Sequence, residues 1–334
     1  MNHTIPTADP HEARHTFSMV GFAYAFLILG TECAIVVGRY LLAYLAPHQQ
    51  SAWWVSWVLS LIPLYTVGLG LLWLILRQVP TSPHNTDYAI NATASAEKPR
   101  FHVGHWLILL VIAFGCMTAG GLASNVIMAI LSAALSYDYA NALNTLVSTS
   151  PLWMTFVGAC ILGPLGEEFL FRKLLIDRTR RYGDLPSILL SGILFGLFHR
   201  NLFQLFYATA VGMVLAYVYT RTGKYWWCVA MHAAMNLVGT VVTPALMSVL
   251  PADLISFENK FQPLIYLFLV VWQYGMLIAG IVLFSIQLSR RKLSRGPDPL
   301  RHRQAASIML GNPGMVASLL IMGLTILLNL LPNR

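Results

Sequence analysis

The chain has 334 residues, of which 57% are hydrophobic and only 10% charged, and its formal net charge is +8. Several apolar stretches exceed the roughly 18 residues at which a transmembrane helix becomes the preferred interpretation, which excludes an ordinary soluble globular protein. The positive charge lies in short segments between these stretches, where Lys and Arg set membrane orientation, and this argues against a nucleic-acid partner.

Taken in chain order, the apolar segments predict an all-α, polytopic transmembrane helical bundle. The fifth segment is short and can end inside the lipid bilayer, so we expect eight to nine spans. The predicted segments lie near residues 17–46, 52–77, 105–135, 152–176, 185–199, 203–220, 225–249, 263–289 and 314–331.

The motifs and connections divide the chain into three predicted parts. Residues 1–149 hold the first three spans and a connector at 78–104 that is rich in Pro, Ser, Thr, Asn and Ala, which predicts a flexible loop. Residues 150–249 hold three polar motifs and are predicted to be a catalytic core. Residues 250–334 hold the last spans and a basic connector at 290–303.

Lys and Arg alternate between successive connections, as expected when every second connection is cytoplasmic. Nine spans with a cytoplasmic N-terminus fit this alternation, and Arg200 is the one misplaced charge. The sequence therefore predicts a multi-pass protein of the cell membrane. The basic residues of the predicted cytoplasmic connections are Arg77, Lys98, Arg100, Arg172, Lys173, Arg178, Arg180, Arg181, Arg221, Lys224, Arg290, Arg291, Lys292, Arg295, Arg301 and Arg303.

Two further groups of residues in the apolar segments receive structural interpretations. Glu32 and Arg39 are seven residues apart on the first segment and are interpreted as a structural ion pair. The four cysteines fall in four different segments without C-x-x-C spacing, which argues against a disulfide framework or a thiolate zinc site.

Three motifs place ionisable side chains inside segments whose other residues predict membrane spans. They are E-E-x-x-x-R at 167–172, F-x-x-x-H at 195–199 and H-x-x-x-N at 232–236. Ionisable groups are costly in a bilayer core, so a cluster of them on neighbouring spans indicates a buried functional site. The combination of acids, histidines and an amide predicts a hydrolytic centre.

Helix geometry brings the motifs to a similar depth. With about 1.5 Å of rise per residue from the cytoplasmic ends of the spans, Glu167 lies roughly 15 Å deep and His199 about 21 Å deep. The same count puts His232 and Asn236 about 10 and 16 Å deep. All four fall near the middle of a hydrocarbon core of about 30 Å, so we expect them to meet.

Spacing within the motifs suggests separate roles for the two acids. Glu168 and Arg172 are four residues apart and can form a structural ion pair on one helix face. Glu167 points about 100° away and is predicted to be the catalytic carboxylate. Just before the acids, Gly163, Pro164 and Gly166 are expected to loosen the helix and give water and substrate room.

These residue types suit hydrolysis by an activated water molecule. Glu167 can take a proton from water as it attacks a carbonyl, and a nearby histidine can act as a second proton carrier. His232 and Asn236 share a helix face, and their N–H groups can stabilise the negative charge that develops on the carbonyl oxygen.

The ordered motifs resemble the CPBP family of intramembrane proteases, also called the CAAX protease and bacteriocin-processing or Abi family. The resemblance covers roughly residues 150–240 and includes the stretch 195–204, which is similar to bacterial members. It implies a helical membrane bundle with an endopeptidase site open to the cytoplasm. It also implies that Glu167 and His199 activate water, while His232 and Asn236 form the oxyanion hole.

Members of this family are often labelled metalloproteases, which leaves zinc as an open cofactor. If zinc is bound, its ligands would be Glu167, His199 and His232. We favour a metal-free centre without a cofactor, because none of the three motifs has the H-E-x-x-H spacing and Asn is a poor zinc ligand.

The predicted partners are the lipid bilayer and a peptide or membrane-anchored protein substrate, such as a peptide leader, a bacteriocin precursor or a signalling peptide. Two other functional classes remain open at this stage. One is a proton-coupled transporter or channel in which Glu167, His199 and His232 relay protons. The other is a non-catalytic immunity or scaffold protein that keeps the cavity.

Overall fold

The computed structural model describes residues 7–82, 101–254, 256–288 and 293–331. Eleven helices, which we number α1 to α11, and one short 3-10 turn at Pro47–Gln49 account for the regular structure of these ranges, and none of the described residues is in a strand. The helices are Pro10–Leu45, Trp53–Leu76, Val103–Leu135, Ala142–Thr149, Leu152–Tyr182, Asp184–Phe198, Leu202–Thr222, Tyr225–Met247, Phe261–Leu288, His302–Leu310 and Pro313–Asn329.

Seven of the described helices are long and apolar enough to cross a membrane: α1, α2, α3, α5, α7, α8 and α9. The pair α10 and α11, bent by 65°, passes the same test when taken together and gives an eighth span. The predicted fifth segment is α6, an apolar helix of 15 residues. The predicted polytopic helical bundle is therefore confirmed, and α6 is shorter than a typical span.

Helices α6 and α7 form a tight antiparallel hairpin. Asn201 caps α7, because its side-chain oxygen accepts a hydrogen bond from the backbone N–H of Phe203 at 2.9 Å. The two helices approach closely at Gly196, where a Cβ atom would collide with the side chain of Thr209. This contact fixes the end of α6, which is followed directly by His199, against α7.

Two hydrophobic clusters hold the bundle together, and both draw on the middle of the chain. The first joins α1, α2, α5, α6 and α11 and includes Phe17, Tyr24, Leu72, Phe171, Phe195 and Met315. The second joins α3, α5, α7 and α8 and includes Ile112, Ile176, Val211, Tyr219 and Met231. Helices α5 to α8, which carry the three motifs, are therefore packed from both sides.

The ion pair predicted within the first span is wrong. Glu32 pairs with Arg200, at the turn between α6 and α7. Arg39 is exposed further along α1. The backbone carbonyl of Arg200 also accepts a hydrogen bond from Asn329 Nδ2 at 2.8 Å. Arg200, which breaks the predicted charge alternation, thus ties the α6–α7 turn to the first and last helices.

The connector before α10 packs against the junction between α5 and α6. The backbone N–H of Asp184 donates to Ser294 O and the N–H of Ser294 donates to Asp184 Oδ2, each at 2.9 Å. The N–H of Asp298 donates to Arg181 O at 3.1 Å. Residues 83–100 of the predicted flexible loop and residues 290–292 of the predicted basic connector lie outside the described ranges, and the division into three parts stays a prediction.

Candidate active site

The carboxylate of Glu167 faces the rings of both motif histidines. Its Oε2 atom lies 3.8 Å from Nε2 of His199 and 3.8 Å from Nε2 of His232. These distances exceed a direct hydrogen bond, and the buried Oε2 atom has no hydrogen-bond partner among the described residues. The structure therefore brings together, from α5, the C-terminal cap of α6 and α8, three of the residues that the sequence places at similar depth.

Interruptions in α5 place the two acids. A π-helical turn at Phe156–Leu162 precedes the α-helical stretch Gly163–Glu168, and a second π turn follows at Phe169–Leu174. The loosening predicted from Gly163, Pro164 and Gly166 takes this form. Because π turns shift the phase of a helix, they set which side of α5 the acids face.

Glu168 is fully buried and binds two partners. Its Oε2 accepts from Arg172 Nε at 2.8 Å, which confirms the predicted ion pair. Its Oε1 lies 2.9 Å from Nδ1 of His232, a contact that helical spacing did not predict because it joins α5 to α8. Glu168 therefore connects the buried guanidinium to one of the two site histidines.

The hydrogen bonds of the two histidines fix how their rings present nitrogen to Glu167. Nδ1 of His199 lies 2.8 Å from the carbonyl oxygen of Phe195, which can only accept, so Nδ1–H donates. Nδ1–H of His232 donates to the Glu168 carboxylate. Both rings therefore direct Nε2 at Glu167, and in the neutral form each Nε2 carries a lone pair.

Phe195 occupies the centre of the site and was not predicted to have a role. Its ring centroid lies 4.9 Å from that of His199 and 5.7 Å from that of His232, both edge-on. The guanidinium of Arg172 lies over the same ring, 5.0 Å from its centroid, and also donates to Ser191 Oγ on α6. The only signal in the sequence was the position of Phe195 four residues before a histidine.

Asn236 holds the interrupted part of α5 in place. Its Nδ2 donates to the carbonyl oxygen of Ala159 at 2.7 Å. In a π turn this carbonyl would bond to the N–H five residues later, and residue 164 is a proline without an N–H. One N–H of the Asn236 amide is thus used to satisfy the backbone, and the other remains for the predicted oxyanion role.

Two tyrosines hold further carbonyl groups next to the acids. Tyr65 on α2 donates its hydroxyl to Leu162 O, and Tyr225 at the start of α8 donates to Leu165 O. Neither tyrosine was predicted, because their partners are backbone atoms that helix breaks leave available. These contacts fix the backbone of α5 just before Glu167.

The three residues of the alternative zinc set are not spaced as zinc ligands are. Across the described ranges, no group of three or more His, Cys, Asp or Glu side chains is arranged to hold a metal ion. Nε2 of each histidine lies 3.8 Å from Glu167 Oε2, whereas ligands of tetrahedral zinc lie about 3.3 Å apart. Glu167, His199 and His232 do not fit zinc as arranged, and the metal-free centre stays a prediction.

Comparison with known proteins gives this geometry a context. Residues 148–238 match the family model "Type II CAAX prenyl endopeptidase Rce1-like". This segment is therefore similar to Rce1-like domains. It contains all six predicted site residues, and the predicted family is confirmed.

One curated relative extends the match beyond the Rce1-like domain. It is a protein of Bacillus subtilis (strain 168) named "Putative membrane peptidase YdiL", which is 27% identical over 192 residues, or 57% of this chain and 70% of the relative. No solved structure matches the chain. The domain, the relative and the seven apolar helices together support a multi-pass membrane peptidase that acts on a peptide or protein substrate.

Proposed function

We propose that the protein is an intramembrane endopeptidase in which Glu167 and His199 activate a water molecule to cleave a peptide bond. One observation carries this proposal: the unpartnered Oε2 of Glu167 lies 3.8 Å from two imidazole Nε2 atoms. A gap of this size is too long for a direct hydrogen bond, yet one water molecule can contact all three atoms. The site thus offers Glu167 and His199 as proton acceptors around the position of a nucleophile.

In this mechanism the water oxygen attacks the carbonyl carbon of the substrate while Glu167 takes a proton from the water. A carbon–oxygen bond forms, and the carbonyl oxygen becomes negatively charged. The carbon–nitrogen bond then breaks as the proton passes to the leaving amine. The lone pair on Nε2 of His199 gives the proton a second position on this route.

The oxyanion would be stabilised by His232 and Asn236. Because Nδ1–H of His232 is committed to Glu168, its Nε2 can donate only when the ring is a cation. The buried carboxylate of Glu168 favours that cation, and Arg172 holds the carboxylate. Glu168 and Arg172 are therefore positioning residues in this proposal.

The orientation in the membrane is part of the proposal. Alternation of Lys and Arg supports a cytoplasmic N-terminus and a site that is open to the cytoplasm. Alkaline phosphatase fused after residue 253 should be active, whereas a fusion after residue 297 should be inactive. The reverse pattern would overturn this orientation.

Cleavage by purified protein tests the function directly. The wild-type protein in detergent is screened against a library of internally quenched fluorescent peptides, and a cleaved peptide becomes the assay substrate. Glu167→Gln and His199→Ala should each lower kcat by at least about 1000-fold without lowering the unfolding temperature. An active Glu167→Gln variant would refute the proposal.

Two further measurements separate the alternatives. A metal-free centre predicts full activity after dialysis against a strong chelator and less than stoichiometric zinc by elemental analysis. One tightly held zinc per chain would contradict it. A proton-coupled transporter would instead show proton-dependent flux in liposomes that Glu167→Gln removes, with no cleavage of any peptide in the library.

A further inference from the structure

A chain of side-chain hydrogen bonds runs along the first turns of α7. The Oδ1 atom of Asn201 accepts from the backbone N–H of Phe203, which fixes the orientation of the amide. Its Nδ2 therefore points the other way and donates to Oε1 of Gln204 at 3.2 Å. The helix cap thus sets the direction of the bond that follows.

The same direction continues to Tyr207. Since the oxygen of Gln204 faces Asn201, its NH₂ group faces Tyr207 and donates to the hydroxyl oxygen at 2.8 Å. The hydroxyl of Tyr207 accepts this bond, so its own proton points to another acceptor. Within the described parts of the chain, no residue accepts that proton.

Tyr207 differs in this respect from the other tyrosines near the acids. Tyr65 and Tyr225 donate their protons to backbone carbonyls of α5. The hydroxyl of Tyr65 lies against Gly166, next to Glu167, and Tyr207 packs on the hydrophobic cluster that includes Phe195 at the centre of the site. Of these three hydroxyls, only that of Tyr207 has an uncommitted proton, and the helix that carries it begins at Leu202, shortly after His199.

Few hydrogen-bond donors in the site are free to contact a developing negative charge. His232 uses Nδ1–H on Glu168, and Asn236 uses one N–H on Ala159. The remaining donors are Nε2–H of His232, which is present only when the ring is a cation, and the second N–H of the Asn236 amide. A tetrahedral intermediate is stabilised best by several fixed donors, so a further donor would complete the site.

We propose that Tyr207 is a further catalytic residue, whose hydroxyl donates a hydrogen bond to the carbonyl oxygen of the scissile bond as that oxygen becomes negatively charged. This inference rests on the proposed function and adds a residue to it. The hydroxyl is fixed in advance, because Gln204 orients it and α3 packs tightly on the backbone of Tyr207, where a Cβ on Gly120 would collide with it. Prior fixation of a donor is what makes it effective in a transition state.

The first test removes the donor alone. With the quenched peptide that the wild type cleaves, Tyr207→Phe should lower kcat about 100-fold and change KM by less than about twofold. Tyr217→Phe is the matched control, because it removes a hydroxyl from the same helix that has no hydrogen-bond partner. The control should retain the wild-type kcat.

The second test reverses the direction of the hydrogen bond while keeping the bond. In Gln204→Glu the residue has only acceptors, so Tyr207 would donate its proton to the new carboxylate and withdraw it from the substrate. This variant should lose kcat to a similar extent as Tyr207→Phe. The affinity of a phosphinic peptide, which mimics the tetrahedral intermediate, should fall in Tyr207→Phe by the same factor as kcat/KM.

The outcomes separate the two proposals. If Glu167→Gln is inactive but Tyr207→Phe and Gln204→Glu keep the wild-type kcat, the role of Tyr207 is wrong and the proposed function stands. If Tyr207→Phe raises KM and leaves kcat unchanged, the hydroxyl binds the ground state and the oxyanion role is also wrong. If Glu167→Gln cleaves the peptide normally, the proposed function itself fails.

Discussion

Charged side chains behave differently in the candidate site and at the junction between α5 and α6. At the junction Arg180 binds Asp184 at 3.1 Å, and Arg181 binds both Asp298 at 2.8 Å and Glu12 at 3.0 Å. In the site, the guanidinium of Arg172 binds Glu168. Glu167, by contrast, lies beside two histidines, and its Oε2 atom has no hydrogen-bond partner among the described residues.

Structural charges in this bundle differ from reactive ones in the partners that they bind. A carboxylate that binds a guanidinium is neutralised and acts as a link between helices. A carboxylate whose oxygen has no hydrogen-bond partner can contact a water molecule and take its proton as the water reacts. Glu168 is therefore a structural charge, whereas Glu167, its neighbour in sequence, is a reactive one.

The largest expected effect comes from breaking the buried link in the site. Arg172→Ala removes a fully buried guanidinium and leaves Oε2 of the buried Glu168 carboxylate without its partner. We expect the free energy of unfolding to fall by about 3–5 kcal/mol. Thermal unfolding in detergent micelles measures it.

The neighbouring residue supplies the control for Arg172. Lys173 also pairs with an acid four residues later, but its side chain is 51% exposed. Lys173→Ala should cost at most about 1 kcal/mol, because exposed pairs contribute little. If Arg172→Ala is as stable as Lys173→Ala and lacks only activity, Arg172 acts in the chemistry instead.

A smaller effect is expected from neutralising Glu168 while keeping its shape. In Glu168→Gln the amide oxygen can still accept from His232 Nδ1, but the charge that favours a cationic ring is lost. We expect kcat to fall about 100-fold with KM nearly unchanged. Steady-state cleavage of the quenched peptide measures both constants.

Glu12→Gln is the matched control for Glu168, because Glu12 binds a guanidinium at the junction. It should leave kcat at the wild-type value. Equal kcat in Glu168→Gln and Glu12→Gln would mean that Glu168 has no part in orienting or charging His232. The charged residues of the site and of the junction would then not differ in their effect on catalysis.

Regular helix geometry explains why the sequence predicted much of the site. The constant rise per residue put Glu167, His199 and His232 at similar depth, and the structure brings them together. Spacing of four residues likewise predicted the pair of Glu168 and Arg172, because both side chains lie on one helix.

Contacts between helices, and contacts that depend on helix breaks, were not predictable in this way. The bond from Glu168 to His232 joins residues 64 positions apart. The bond from Asn236 to Ala159 depends on a π turn that leaves one carbonyl free. Spacing within a helix also favoured Glu32 with Arg39, whereas the tertiary fold pairs Glu32 with Arg200.

This corrected pair gives a sharper test of the fold. A double-mutant cycle with Glu32→Gln and Arg200→Gln should show a coupling free energy of about 1 kcal/mol, because the two side chains are in contact. The corresponding cycle with Glu32→Gln and Arg39→Gln should show almost none. A larger coupling to Arg39 than to Arg200 would contradict the observed packing of α1 against the α6–α7 turn.

The smallest effect is expected at the junction. Asp298→Asn weakens a partly exposed pair, and Arg181 keeps Glu12 as a partner, so we expect a loss of about 0.5 kcal/mol in stability. The value of kcat should not change, because the backbone bond from Asp298 to Arg181 O remains. Thermal unfolding and peptide cleavage, measured on the same preparation of Asp298→Asn, check the stability and the kcat. A fall in kcat comparable to that of Glu168→Gln would show that the junction controls the site, and that paired charges in this bundle do more than link helices.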